Sequence, residues 1–301
     1  MCTRSSLSNG CIPRSLSIDE RTQYIWLVRY GLTQHALVEN VGPFDTDIDP
    51  TIGITHAKAI ANYISTSSED SVPALVYTDC FLRTTHTGNI IAKSLCTEND
   101  KIHRIEEGLN EWQVPSLLVS EDSKKTNPRT PKQLQELFPD TIDLSYNSIN
   151  PQLQDDPPRE EVEKGSVLFP ETEDDLFERC ATTVTRILDN LENHENICIV
   201  SHAPCNQSIA LFLAGSGDYI EEWSLGGITR FSRKIENGIV GGWNLDFYSM
   251  TDHMPGEYKD GVKRAWSLPS FKKVKTIANH ISTSSEDSIP ALVYTYRFLR
   301  T

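Results

Sequence analysis

The chain has 301 residues, 38% of them hydrophobic and 23% charged, which is enough apolar material for one large α/β domain with extensions. A formal net charge of −14 excludes a general binder of nucleic acid or of anionic membrane, so any phosphate site must be a local basic pocket in an acidic protein. Seven cysteines with no Cys-x-x-Cys pair argue against a disulfide framework and a zinc site, and they suit a reducing compartment.

Residues 1–22 are rich in Ser and Arg, carry no acid before Asp19, and lack the apolar core of a secretory signal. They read as a disordered tail, with an organelle-targeting segment as the second reading; the expected location is cytoplasmic. Residues 23–252 read as the folded domain. Ile25-Trp26-Leu27-Val28 is a four-residue apolar run, the pattern of a strand buried on both faces. Arg29, Tyr30 and Gly31 follow, at the carboxyl end where open α/β sheets hold ligands. Gly31 is expected to let the chain turn sharply where a ligand approaches the backbone.

Residues 34–50 have no periodicity and read as a loop. Residues 51–65 keep helical spacing, 66–73 form a Ser-rich turn, 74–78 a second strand, 81–95 a helix and 102–105 a third strand. Residues 113–170 hold many prolines and one polar block, with a short helix at 131–138. They are expected to form an insertion over the site, with a plain disordered insert as the alternative reading. Thr172, followed by Glu173, Asp174 and Asp175, predicts a helix start, because a capping hydroxyl precedes acids that suit the helix dipole. That helix runs to residue 191. A buried strand at 196–201, a helix at 203–213 and β material at 228–232 and 239–248 complete the domain. The order predicts a three-layer α/β/α sandwich with a mostly parallel central sheet.

Residues 253–301 form a C-terminal extension. Within it, 275–301 repeat 58–84 at a constant offset of 217, differing only at Ala59/Thr276, Tyr63/His280, Val72/Ile289, Asp79/Tyr296 and Cys80/Arg297. This is one partial copy, not a solenoid array, and it lacks the Arg-Tyr-Gly strand.

Four fragments, in order and each at a strand end, resemble the histidine phosphatase superfamily, the phosphoglycerate-mutase-like proteins. They are Arg29-Tyr30-Gly31; Tyr77 to Thr87 with Arg83 and Thr87; Glu106-Glu107-Gly108-Leu109-Asn110-Glu111-Trp112; and Ile197 to Ala203 with Ser201-His202. The likeness spans residues 24–250. It implies the phosphoglycerate-mutase-like fold and phosphomonoester hydrolysis. By it, Arg29, Arg83 and His202 bind phosphate, Glu111 is the proton donor, and Tyr30 stands where the family has its nucleophilic histidine. It implies no cofactor and no metal. The partner is a phosphorylated small molecule or a phosphoprotein, with association of two copies left open, and no nucleic acid or membrane.

The chemistry suits those residue types. A phosphoryl dianion needs fixed cations and donors, and guanidinium forks match its oxygens. A carboxylic acid then protonates the leaving alkoxide. The sequence departs from the pattern twice. The turn Asp79-Cys80 stands where the family has a Ser-Pro-like turn, which counts as a mild loss. Tyr30 is the larger departure: phenols ordinarily ionise near about pH 10, and an aryl phosphate ester is far more stable than a phosphoryl imidazole. Activity is therefore expected to be weak or absent. The alternative is a non-catalytic module that keeps the pocket to hold a phosphorylated ligand. His35, His56 and His86 read as ordinary loop and helix histidines.

Overall fold

The computed structural model describes residues 20–34, 46–95, 102–114, 129–150, 171–191, 195–215, 222–256 and Leu268. The N-terminal tail, His35, most of the loop after the first strand, and the duplicated tail lie outside these residues.

Strand β1 (Glu20–Arg29) is longer than its apolar run. Its core half, Ile25 to Arg29, pairs parallel with Ile197 to Ser201 of a second strand, while the whole length from Glu20 to Val28 runs antiparallel to Ile228–Glu236. Then come α1 (Ile52–Ser65), β2 (Leu75–Thr78), α2 (Leu82–Leu95), β3 (His103–Ile105) and α3 (Pro131–Leu137). The rest is α4 (Glu173–Asp189), β4 (Ile197–Ser201), α5 (Ala203–Ala214), β5 (Ile228–Glu236), β6 (Ile239–Val240) and β7 (Asn244–Met250). The spatial order is β3-β2-β4-β1-β5-β6, with β7 also paired to β5. β1 to β4 are parallel and β5 to β7 antiparallel.

Alternation along the strands builds the three layers. Ile25, Leu27, Tyr77, Ile197 and Ile199 point to one core, filled by Leu176, Val184 and Ile187 of α4 and Ile209 and Leu213 of α5. Trp26, Val28, Val76, Cys198 and Val200 point to the other, against Ile60 and Ile64 of α1 and Ile91 of α2. Both faces of the parallel strands are covered, so the apolar runs are continuous rather than alternating. Helix α4 starts as its sequence predicts, in a capping box between Thr172 and Asp175.

Gly31 serves a different purpose from the one expected. A Cβ there would lie 2.6 Å from the carbonyl oxygen of Gly53, and one on Gly53 would collide with the carbonyl of Leu32. The two glycines let the exit of β1 pass against the first turn of α1; no ligand approach is needed to account for Gly31. The described part of the 113–170 segment docks on the β3 edge. Leu134, Phe138 and Ile142 pack on Cys80 and Ile105, and Ile142 bridges His103. Residues 115–128 and 151–170, the remainder of the expected cover over the site, lie outside the description.

Candidate functional site

The register of the sheet assembles the site. Arg29 stands opposite Ser201, and Thr78 opposite Val200, so β1, β4 and β2 end side by side. The next residues are Tyr30, His202 and Asp79. α2 brings Arg83 to the same edge, and the segment after β3 brings Glu111. Of these six, Tyr30 is half-buried and the others are buried.

Each side chain is held by its own supports. Arg29 donates through Nη1 to the carbonyl of Trp223, and its backbone N–H to the carbonyl of Gly227 at 3.0 Å. Thr87 accepts from the Gly31 N–H at 3.3 Å and donates to the Arg83 carbonyl at 2.8 Å, tying α2 to the exit of β1. The hydroxyl of Ser201 reaches the Leu109 carbonyl at 2.8 Å, and Cys205 and Arg179 reach the Asn110 carbonyl at 3.0 and 2.9 Å. These contacts fix the backbone that carries Glu111. Its Oε1 also accepts from the Trp112 N–H at 3.0 Å.

The Tyr30 phenol lies where the two guanidiniums meet and interacts with both Arg29 and Arg83. Arg83 also lies over the phenol ring, 5.1 Å from its centroid, and Arg29 at 5.8 Å. Burial and Arg83 outweigh Tyr30 and Glu111 and bring the Arg29 pKa below its ordinary value, though a guanidinium stays charged at neutral pH. For Arg83 burial also opposes the charge, but Tyr30, Glu111 and Asp79 more than offset it.

His202 lies between two acids. Its Nε2 is 2.5 Å from Asp79 Oδ2 and its Nδ1 is 2.8 Å from Glu111 Oε2. Burial works against the imidazolium, yet Glu111 and Asp79 raise its pKa to about 9 despite Arg83. Both nitrogens are therefore protonated at neutral pH and both donate to carboxylates. The 3.1 Å approach of Arg83 Nη2 to His202 Nδ1 is then a contact between two donors, not a hydrogen bond. Each reaches for Glu111, whose Oε2 is 3.4 Å from Arg83 Nη2. Burial tends to raise the Glu111 pKa, but His202, Arg83 and the Trp112 N–H lower it to about 2.

The structure thus brings together Arg29, Tyr30, Arg83, Glu111 and His202, the five site residues expected from the sequence. It also adds Asp79. That turn is no mild loss of pattern: a fully buried carboxylate grips the histidine. Trp223 was missed as well, because a backbone carbonyl leaves no mark in residue identity. Of the other histidines, His86 pairs with Asp47 at 2.8 Å. His56 is buried in α1, where burial lowers its pKa to about 4 despite Asp49. Among the described residues no His, Cys, Asp and Glu cluster has the make-up of a metal site, and no helix is long and apolar enough to cross a membrane.

No protein-family model matches the sequence, and no curated protein sequence matches it. Solved structures do. The ecdysone phosphate phosphatase from Bombix mori, in complex with tungstate, superposes with a TM-score of 0.55 at 13% identity, covering 84% of this chain and 99% of that one. The chain shares that enzyme's fold. Phosphoserine phosphatase from Entamoeba histolytica, in complex with 3-phosphoglyceric acid, matches at 19% identity and a TM-score of 0.47, over 77% of this chain and 100% of that one. A mycobacterial glucosyl-3-phosphoglycerate phosphatase complexed with VO3 matches at 15% identity and 0.48, over 75% of this chain and 99% of that one.

Proposed function

We propose that this cluster is a phosphoryl-binding site of the histidine phosphatase kind, in which phosphomonoester hydrolysis is weak or absent. The observation that carries the reading is the convergence of Arg29 and Arg83 on Tyr30, their guanidinium carbons 5.8 and 5.1 Å from its ring centroid. Two guanidiniums held at one strand end supply the donors that the equatorial oxygens of a phosphoryl group require. The ligand is a phosphorylated small molecule or a phosphoprotein, with its phosphoryl group taking the guanidinium donors.

In this reading Tyr30 holds the nucleophile position. Attack by its oxygen on phosphorus, with the phenol proton lost to solvent and the departing alkoxide protonated by Glu111, leaves a tyrosyl phosphate. That ester resists water far better than a phosphoryl imidazole, so turnover stalls after at most one event. Glu111 is poorly armed as well. It is ionised in the free protein, and the proton it would deliver has to come from His202 Nδ1, 2.8 Å away. This favours the second reading, a pseudophosphatase that binds a phosphorylated ligand for regulation or scaffolding.

The deciding experiment is an aryl phosphate hydrolysis assay of the natural chain beside Tyr30→His, with calorimetric titration of inorganic phosphate into both. Phosphate binding by the natural chain, with turnover at background and gained in Tyr30→His, is the expected result. Hydrolysis by the natural chain at rates typical of phosphatases would overturn the impaired reading. Absence of phosphate binding in both would overturn the site itself.

A further inference from the structure

We propose that Asp79 is a positioning residue that locks His202 as a bridge between two carboxylates, accepting a hydrogen bond from its Nε2, and that its charge weakens the hold of the cluster on a phosphoryl group. The inference rests on the phosphoryl reading of the site given above. Asp79 is fully buried at the end of β2, and its Oδ1 is anchored by the Phe81 N–H at 2.9 Å and by the Thr84 hydroxyl. Those two donors aim Oδ2 at His202 Nε2, 2.5 Å away. The ring has little freedom to leave. Phe81 and Tyr30 both meet it edge-on with centroids 5.3 Å apart, at 81° and 67°. Its other nitrogen is already committed to Glu111.

The groups facing His202 are Asp79 from the β2–α2 turn, Arg83 from α2, Glu111 from the segment after β3, Tyr30 from the end of β1 and Cys205 from its own helix. Two are acids and one is a fixed cation. Across the cluster, Arg29, Arg83 and His202 face Asp79 and Glu111, a balance of one positive charge. With a neutral residue at 79 and His202 protonated, the balance is two. Asp79 therefore removes a unit of positive potential from an incoming phosphate, and the phosphoryl group rests on Arg29 and Arg83.

The test uses the full chain. Imidazole 15N spectra follow the titration of His202, assigned by its absence from His202→Gln, in the natural chain, Asp79→Asn and Asp79→Ser. Asp79→Asn retains an oxygen for Phe81 and Thr84, so it changes the charge with little disturbance of the turn. The His202 midpoint is expected to fall from about 9 toward the ordinary histidine value of about 6.5. Inorganic phosphate, titrated calorimetrically just below that pH, is expected to bind Asp79→Ser about tenfold tighter than the natural chain, a gain of about 1.4 kcal/mol. An unmoved His202 midpoint in Asp79→Asn overturns the inference, and this reading stands even if the Ser variant does not fold. Phosphate binding to the natural chain with no gain in a folded Asp79→Ser overturns it too and leaves the phosphoryl site intact. No phosphate binding by any form overturns the phosphoryl reading and this inference together.

Discussion

Glu106 and Glu111 are five residues apart on one short segment, both are buried, and they serve opposite ends. Glu106 accepts from the N–H groups of Gly108, Ile149 and Asn150 and from the hydroxyls of Tyr146 and Ser148, at 2.6 to 3.2 Å. Its partners are backbone and hydroxyl groups of residues 108 to 150, so it staples the segment to the sheet edge. Glu111 meets Arg83 and His202 instead. A buried carboxylate alone therefore says little about function. Its partners decide, and a carboxylate that meets charged side chains at a strand end is the one with chemistry open to it.

The structural end of the segment gives the largest expected effects. Arg179 in α4 forms a two-armed pair with buried Glu171 and holds the carbonyls of Gly108 and Asn110. Arg179→Met leaves Glu171 buried without its counter-ion and is expected to cost about 3–5 kcal/mol in urea unfolding. Glu106→Gln should cost about 2–3 kcal/mol, because an amide mismatches donors that a carboxylate satisfied. A Glu106→Gln protein as stable as the parent would break the contrast between the two acids. The site end is expected to show in binding rather than stability. Arg83→Met should weaken inorganic phosphate binding about 10- to 100-fold, the worth of one charge-assisted contact, and an unchanged dissociation constant would remove Arg83 from the site.

Much of the fold was legible because it rests on local pattern. The run Ile25 to Val28 and the run Ile197 to Val200 are apolar on both faces, and both are central parallel strands. The convergence of Arg29, Arg83, Glu111 and His202 was legible from motif order. The β1 extension was not, since residues 20–24 are polar and owe their strand to pairing with β5 over 200 residues away. Asp79 was misjudged for the same reason. Locally it is an acid in a turn, while its meaning comes from His202, 123 residues on.

The smallest effect separates the buried histidines by their partners. His103 is as buried as His202, but it meets Thr78 at 2.8 Å and no carboxylate, and burial lowers its pKa to about 3. His253 falls to about 4, burial outweighing Gly226 and Asp252, as His56 does. For these three the folded pKa lies below the unfolded value, so their contribution is present above pH 6.5 and lost as pH falls toward 4 and 3. For His202 the folded value is raised, so its contribution is complete below pH 6.5 and lost as pH rises through about 9. Glu111 adds stability above pH 4.5 that is lost toward pH 2. The opposing slopes place the maximum melting temperature near pH 6.5, with a fall of a few degrees on either side. Asp79→Asn should flatten the alkaline limb and leave the acid limb in place, because none of the groups behind the acid limb, His56, His103, His253 and Glu111, takes its shift from Asp79. An alkaline limb of equal steepness in that variant would mean that His202 owes its proton to Glu111 alone, and the two ends of the His202 ring would then be unequal in a way the short Asp79 contact does not suggest.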